Sequence, residues 1–174
     1  NGCSLQPRSP RRRVSGDYFR KNSRTLALSC SVGAFESGNS ERFAKKAGMI
    51  GHNIGIAFQI MDDFLDYQAD AATLGKPVLE DVRQGVYSLP LIYALNQDNS
   101  QLRPYLEKQK QMTVEDTLQV QRLVQELGGV DYAQQLATEY TEQALKDIRK
   151  LPDNYFNTKE KLERLTSQIL SRKS

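Results

Sequence analysis

Apolar positions recur every three to four residues from about residue 17 onward, with polar positions filling the faces between them. That period is one face of an α-helix. A first helix is predicted over residues 17–35, ending near Gly38. Asn39 and Ser40 are suited to cap the next one. This second helix is predicted over 41 to about 67, roughly 40 Å at 1.5 Å per residue, and its second half is strongly apolar. A loop follows around Gly75, Lys76 and Pro77. Ser88-Leu89-Pro90 resembles a cap with an early-turn proline, opening a helix through Leu95. Thr113 caps another, with Val120, Leu123, Val124 and Leu127 at i, i+3, i+4 and i+7, and Gly128-Gly129 stops it. Ala133, Leu136, Ala137, Tyr140, Ala144, Ile148 and Leu151 mark a further helix ended by Pro152, and a last one is predicted over 158–170. No segment shows sustained period-two alternation, and no internal repeat is visible. The expected fold is all-α, a helical bundle.

Composition narrows the class. The 174 residues are enough for one domain with a hydrophobic core, and 39% apolar with 26% charged is an ordinary balance for a globular protein. The net charge of +3 is too small to imply a nucleic-acid partner. Residues 1–16 are rich in Arg, Pro, Ser and Gly and read as an irregular segment before a helical domain over 17–174. Arg8, Arg11, Arg12 and Arg13 in that segment fit a solvated or anion-facing loop, with a nucleic-acid arm as the alternative. Two cysteines without a CxxC and a single histidine, His52, exclude a disulfide scaffold and a zinc cluster. A reducing, cytoplasmic setting is expected. The longest nearly apolar run, 54–61, is far shorter than the ~20 residues that span a bilayer, so no transmembrane segment is expected. Asn1 in place of Met gives the expectation that the native start lies further upstream. Phe43, Tyr132 and Tyr140 sit on apolar stripes as core residues, and Cys30 is expected to be a packed small side chain.

One stretch breaks the apolar pattern. Asp62, Asp63 and Asp66 stand at i, i+1 and i+4 among Phe58, Ile60, Met61, Phe64 and Leu65. On a helix, Asp62 and Asp66 share a face one turn apart, and Asp63 lies about 100° around the axis. Unpaired carboxylates in such surroundings are heavily penalised. The cluster therefore either faces solvent as an acidic stripe or binds a cation. A pair at i and i+4 suits magnesium, which takes one or two carboxylates together with water and phosphate oxygens. Lys76, ten residues past Asp66, adds the charge that an anionic substrate would need. Gly75 and Pro77 shape the loop that carries it.

The combined pattern GxxFQIxDDxLDxxxxxxxxGKPxxxDxxxGxxxxPxxxAL, running from Gly55 through Gln59, Asp62, Asp66, Lys76, Asp81, Gly85 and Pro90 to Leu95, resembles the trans-prenyl diphosphate synthase family. The resemblance covers nearly the whole chain. Arg24-Thr25-Leu26-Ala27-Leu28 sits where that family carries Lys-Thr-Ala-x-Leu, Gly2 and Gln6 resemble its GxxxQ element, and Leu151-Pro152-Asp153 before a final helix is also similar. The resemblance implies an isoprenoid-synthase-type helical bundle, of which this chain is the C-terminal portion carrying the second aspartate-rich motif. It implies Mg2+ held by Asp62, Asp66 and Asp63, and an allylic diphosphate contacted by Lys76 and Arg24. It places Gln59 and Thr25 near the reacting carbons, and gives Asp81 the task of organising its loop. The implied reaction ionises the allylic diphosphate, and isopentenyl diphosphate captures the carbocation. The GKP form followed by Ser-Leu-Pro is similar to medium- and long-chain members, which commonly make quinone side chains.

The chain departs from the family at two points. Arginine stands at position 24 in place of the usual lysine, which keeps the charge but changes its geometry. The family's first aspartate-rich motif, expected well upstream of position 1, is absent from these residues, so half of the magnesium cage is missing and apolar helix faces are expected to be exposed. The expected activity belongs to an intact enzyme, homodimeric or heteromeric, with the 174-residue chain inactive alone. The alternatives are a non-catalytic or partner-dependent subunit of a heteromeric synthase and, unrelated to isoprenoids, a basic-armed helical interaction domain.

Overall fold

The computed structural model describes residues 20–68, 79–152 and 157–170. The irregular segment 1–16, the boundary at 17, the GxxxQ element, the Arg run, Gly75, Lys76, Pro77 and Asp153 lie outside the described residues. Among the described residues there is no strand, in agreement with the all-α expectation. The long helices are α1 (Arg20–Glu36), α2 (Glu41–Gln68), α4 (Leu89–Gln97), α6 (Val114–Glu126), α7 (Gly129–Arg149) and α8 (Thr158–Leu170). Two four-residue helices, α3 (Glu80–Arg83) and α5 (Arg103–Leu106), and a 3-10 turn over Gln109–Gln111 join them. No described helix is long and apolar enough to cross a membrane.

α1 and α2 form an antiparallel hairpin whose register is set by glycine. A Cβ at Gly55 would lie 2.7 Å from the Ser23 Cα, and one at Gly51 would lie 2.7 Å from the Leu26 carbonyl oxygen. Only hydrogen fits at those two points, so the helix backbones approach more closely than side chains would permit. The turn between them is local: the Gly38 N–H donates to the Phe35 carbonyl at 2.9 Å, and Ser40 Oγ accepts from the Phe43 N–H at 3.3 Å as the cap of α2.

The core lies on the other side of α2. Ile56, Ile60, Met61, Phe64 and Tyr67 from α2 pack with Leu89, Leu91 and Ala94 of α4, Val120 and Val124 of α6, and Val130, Ala133 and Ala137 of α7. α8 closes against α7 and α2. α7 begins at Gly129 rather than near 133, because Gly128 at φ +76 turns the chain and Gly129 lets the first turn of α7 touch α4. A Cβ on Gly129 would be 2.3 Å from the Pro90 carbonyl oxygen. Tyr132 stacks on Tyr93 with ring centroids 4.2 Å apart, and Tyr140 packs against the same cluster.

α6 starts as its sequence predicts, on a capping box. Thr113 Oγ1 accepts from the Asp116 N–H at 3.2 Å, and an Asp116 carboxylate oxygen accepts from the Thr113 N–H at 3.0 Å. Lys108 Nζ donates to Asp116 at 2.7 Å, and this bond, with the Thr113 N–H, holds the Asp116 carboxyl below its ordinary range. α4 starts differently. Ser88 occupies the cap position in extended conformation, yet its side chain makes no cap bond. Its hydroxyl donates to Tyr67 Oη at 3.0 Å instead. The α4 amide at Leu89 finds its acceptor elsewhere, on α2.

One apolar face stays open. Leu28, Val32 and Phe35 follow one another at i, i+4 and i+7 on α1 and are 65%, 48% and 56% exposed. The expectation of exposed apolar helix faces is met there.

Candidate active site

The last three turns of α2 carry Gln59, Asp62, Asp63 and Asp66. The helix exists here because Ile56, Ile60, Met61, Phe64 and Tyr67 bury one stripe against α4, α6 and α7. The stripe fixes the rotation of α2 and, with it, the direction of each carboxylate.

The three aspartates separate into two roles. Asp63 is buried at 5% exposure. One of its oxygens accepts from Gln59 Nε2 at 3.1 Å, and the other from the Leu89 N–H at 3.4 Å. Asp63 thus supplies the acceptor for the start of α4 that Ser88 does not, across two helices. Burial pushes its carboxyl up to about 6; the bonds from Gln59 and Leu89 pull the other way, while Asp66 and Asp62 add to the rise. Asp62 is half-buried and Asp66 exposed. The Asp66 carboxyl is also raised, first by partial burial, then by the negative charges of Asp81 and Asp62. Three carboxylates therefore press on one another at the end of α2, which is the electrostatic condition that a bound cation relieves.

Among the described residues, no group of three or more His, Cys, Asp or Glu side chains is placed to hold a metal ion. The expected set of Asp62, Asp63 and Asp66 is not gathered around one point, because Asp63 turns to Leu89. Asp62 and Asp66 remain on one face, one turn apart. That donor set, hard oxygens without a closed cage, fits magnesium, which leaves the rest of its coordination to water and phosphate.

Arg24 and Thr25 lie on α1, next to Ser23, which rests against Gly55 one turn before Gln59. Both are exposed. The hairpin sets Arg24 and Thr25 opposite the Gly51–Gly55 stretch at the middle of α2, before the turns that carry the aspartates. Lys76 lies outside the described residues. Asp81 lies in α3, where its main-chain carbonyl accepts from the Val86 N–H at 2.9 Å and the Gln84 N–H at 3.1 Å; the loop it was expected to organise lies outside the described residues. The charge of Asp81 on Asp66 is an effect that the sequence did not announce. Also unannounced are Gln121 and Gln125 of α6, whose side chains both reach the Tyr67 carbonyl. Contacts across more than fifty residues leave no local signal, and two glutamines on a polar helix face read as solvated.

A family model described as polyprenyl synthetase matches residues 17–127. The chain is 36% identical over 153 residues to an all-trans-nonaprenyl-diphosphate synthase (geranyl-diphosphate specific) from Rhodobacter capsulatus, covering 87% of this chain and 46% of that protein. Among solved structures, it superposes on geranylgeranyl pyrophosphate synthase from Lactobacillus brevis with TM-score 0.82 and 41% identity, over 90% of this chain and 50% of that one. It also matches the Corynebacterium glutamicum geranylgeranyl pyrophosphate synthase complexed with calcium and isoprenyl diphosphate, with TM-score 0.74 and 28% identity, over 88% and 48% of the two chains. The chain spans about half the length of the curated relatives it matches.

Proposed function

The chain belongs to the polyprenyl synthetase family, and we propose that it supplies the metal-dependent diphosphate wall of an enzyme that condenses isopentenyl diphosphate with an allylic diphosphate. The observation that carries this is the division among the aspartates: Asp63 withdrawn into the fold, Asp62 and Asp66 left together at a charged helix end.

In this reading Asp62 and Asp66 hold Mg2+, and Asp63 supports them from behind. Magnesium bound there would draw charge from the diphosphate oxygens as pyrophosphate departs. A structural neighbour is complexed with calcium and isoprenyl diphosphate, which supports a divalent cation and a prenyl diphosphate as ligands in this reading. Arg24 and Lys76 offer cationic contacts to the same diphosphate. The bond from Gln59 Nε2 to Asp63 turns the amide nitrogen toward Asp63 and its oxygen away. In this reading the Gln59 amide oxygen and the Thr25 hydroxyl would offer negative dipole ends to the allylic cation. The product is a medium- or long-chain polyprenyl diphosphate, a reading supported by the nonaprenyl relative.

The exposed stripe of Leu28, Val32 and Phe35 favours a second feature of the same reading. Activity then requires further helices over α1, from the same polypeptide or from a partner subunit.

The test is magnesium-dependent incorporation of labelled isopentenyl diphosphate onto farnesyl diphosphate by the chain joined to the helices that complete it, with Asp62→Ala as control. Incorporation lost in the control supports the assignment. Incorporation that survives Asp62→Ala refutes the metal role of this pair.

A further inference from the structure

α2 is described as far as Gln68, and in it Tyr67 directly follows Asp66, one member of the acidic pair. The Tyr67 carbonyl accepts from Gln121 Nε2 and from Gln125 Nε2, each at 2.8 Å. The two glutamines are one turn apart on α6, so both amides meet a single carbonyl from the same helix face. The Tyr67 ring is 1% exposed, and its hydroxyl accepts from Ser88. α6 thus fixes the main chain beside Asp66 across 54 and 58 residues of sequence.

The choice of side chain is informative. Lysine or arginine could donate to the same carbonyl, but a positive charge beside Asp66 would oppose a bound cation. Carboxylates cannot donate at all. A primary amide donates to the carbonyl and brings no net charge. We propose that Gln121 and Gln125 are positioning residues for Asp62 and Asp66: by clamping the Tyr67 carbonyl they set how tightly the pair holds a divalent cation. The proposal rests on the metal reading above.

The experiment uses the 174-residue chain and three variants: the double Gln121→Met, Gln125→Met, the single Gln125→Lys, and Asp62→Asn. Two quantities are read. One is hydrogen exchange of the backbone amides of residues 64–68 without metal. The other is the Mg2+ concentration at half-saturation for binding inorganic pyrophosphate. In the double variant the amides exchange faster and the Mg2+ midpoint rises about tenfold, the usual scale for lost supporting contacts behind a metal ligand. Gln125→Lys keeps a donor, so exchange stays slow while the midpoint still rises. Unchanged exchange in the double variant overturns the clamp. Faster exchange with an unchanged midpoint leaves a purely structural contact and overturns the positioning role. An unchanged midpoint in Gln125→Lys overturns the requirement for a neutral donor. Asp62→Asn is the separate control: if it leaves Mg2+-dependent binding intact, or if the unaltered chain binds no pyrophosphate, the metal reading falls and this proposal with it. If Asp62→Asn abolishes binding and the glutamine variants do not alter it, only the positioning role falls.

Discussion

In the cluster formed by α4, α6 and α7, apolar side chains meet one another; along the outer face of α1 they meet solvent. The cluster is closed by local devices, namely the Thr113–Asp116 capping box, the Gly128 turn and the Tyr93–Tyr132 stack. The hairpin has a tight inner seam at Gly51 and Gly55 and an unclosed outer face at Leu28, Val32 and Phe35. Where the two regions join, along the second half of α2, polar bonds are added to the apolar stripe of Ile56 to Tyr67: Asp63 to Leu89, Tyr67 to Ser88, and two glutamines to one carbonyl. The contrast teaches that α2 belongs to both regions: one face completes the buried scaffold with α4, α6 and α7, and the other carries the hairpin wall.

Substitutions can break that division or sharpen it. The largest effect is expected from Asp62→Ala, which should lower magnesium-dependent turnover at least a hundredfold, about 3 kcal/mol of barrier, while the melting temperature stays within a few degrees. Turnover and melting measured on the same preparation check it; a large fall in Tm would move Asp62 from the wall into the scaffold. Gly129→Ala should do the opposite. Its Cβ meets the Pro90 carbonyl at 2.3 Å, and urea denaturation should show a loss of about 3 kcal/mol. An unchanged urea midpoint would mean that α4 and α7 separate easily.

Asp63 belongs to the joint, and its response is in pH. Its carboxyl titrates near 6 in the folded protein against about 3.9 when unfolded. Between these values the folded state binds more protons, so stability falls as pH rises from about 4 to about 6 and stays reduced above. Asp63→Asn should flatten this slope and raise stability by about 1–2 kcal/mol at pH 8 in metal-free buffer. Melting curves from pH 4 to 8 decide; an unaltered slope assigns the titration to another group. Thr113→Ala should remove about 1 kcal/mol from the scaffold and leave the magnesium requirement unchanged. The smallest effect is that of Phe35→Gln, within about 0.5 kcal/mol by denaturation, with less self-association in sedimentation. A loss above 1 kcal/mol would show that Phe35 is buried in solution.

What was legible in the sequence was whatever is local. The 3.6-residue stripes located the long helices, since each buries one face, and Thr113 and Ser40 announced their own caps. The helices α3 and α5 were not visible because four residues are too few to show a stripe. Ser88 looked like a working cap, but its hydroxyl went to Tyr67 and a carboxylate from 26 residues upstream took the amide. The acidic motif revealed that Asp62, Asp63 and Asp66 sit together; only the packing of α2 on α4 shows that Asp63 faces inward. The charge of Asp81 on Asp66 and the glutamine pair depend on tertiary contacts that no spacing encodes.

The glycine seams have a consequence for genetics. At Gly51, Gly55 and Gly129 the smallest possible change, one methyl group, collides with backbone of a neighbouring helix. In a library of random variants these columns should be as empty as that of Asp62, although none of the three touches a reactant. A growth screen alone would count them among the active-site residues. Melting temperature scored alongside growth would separate them, because the glycine variants would fail as folded proteins and the aspartate variants would fail while folded.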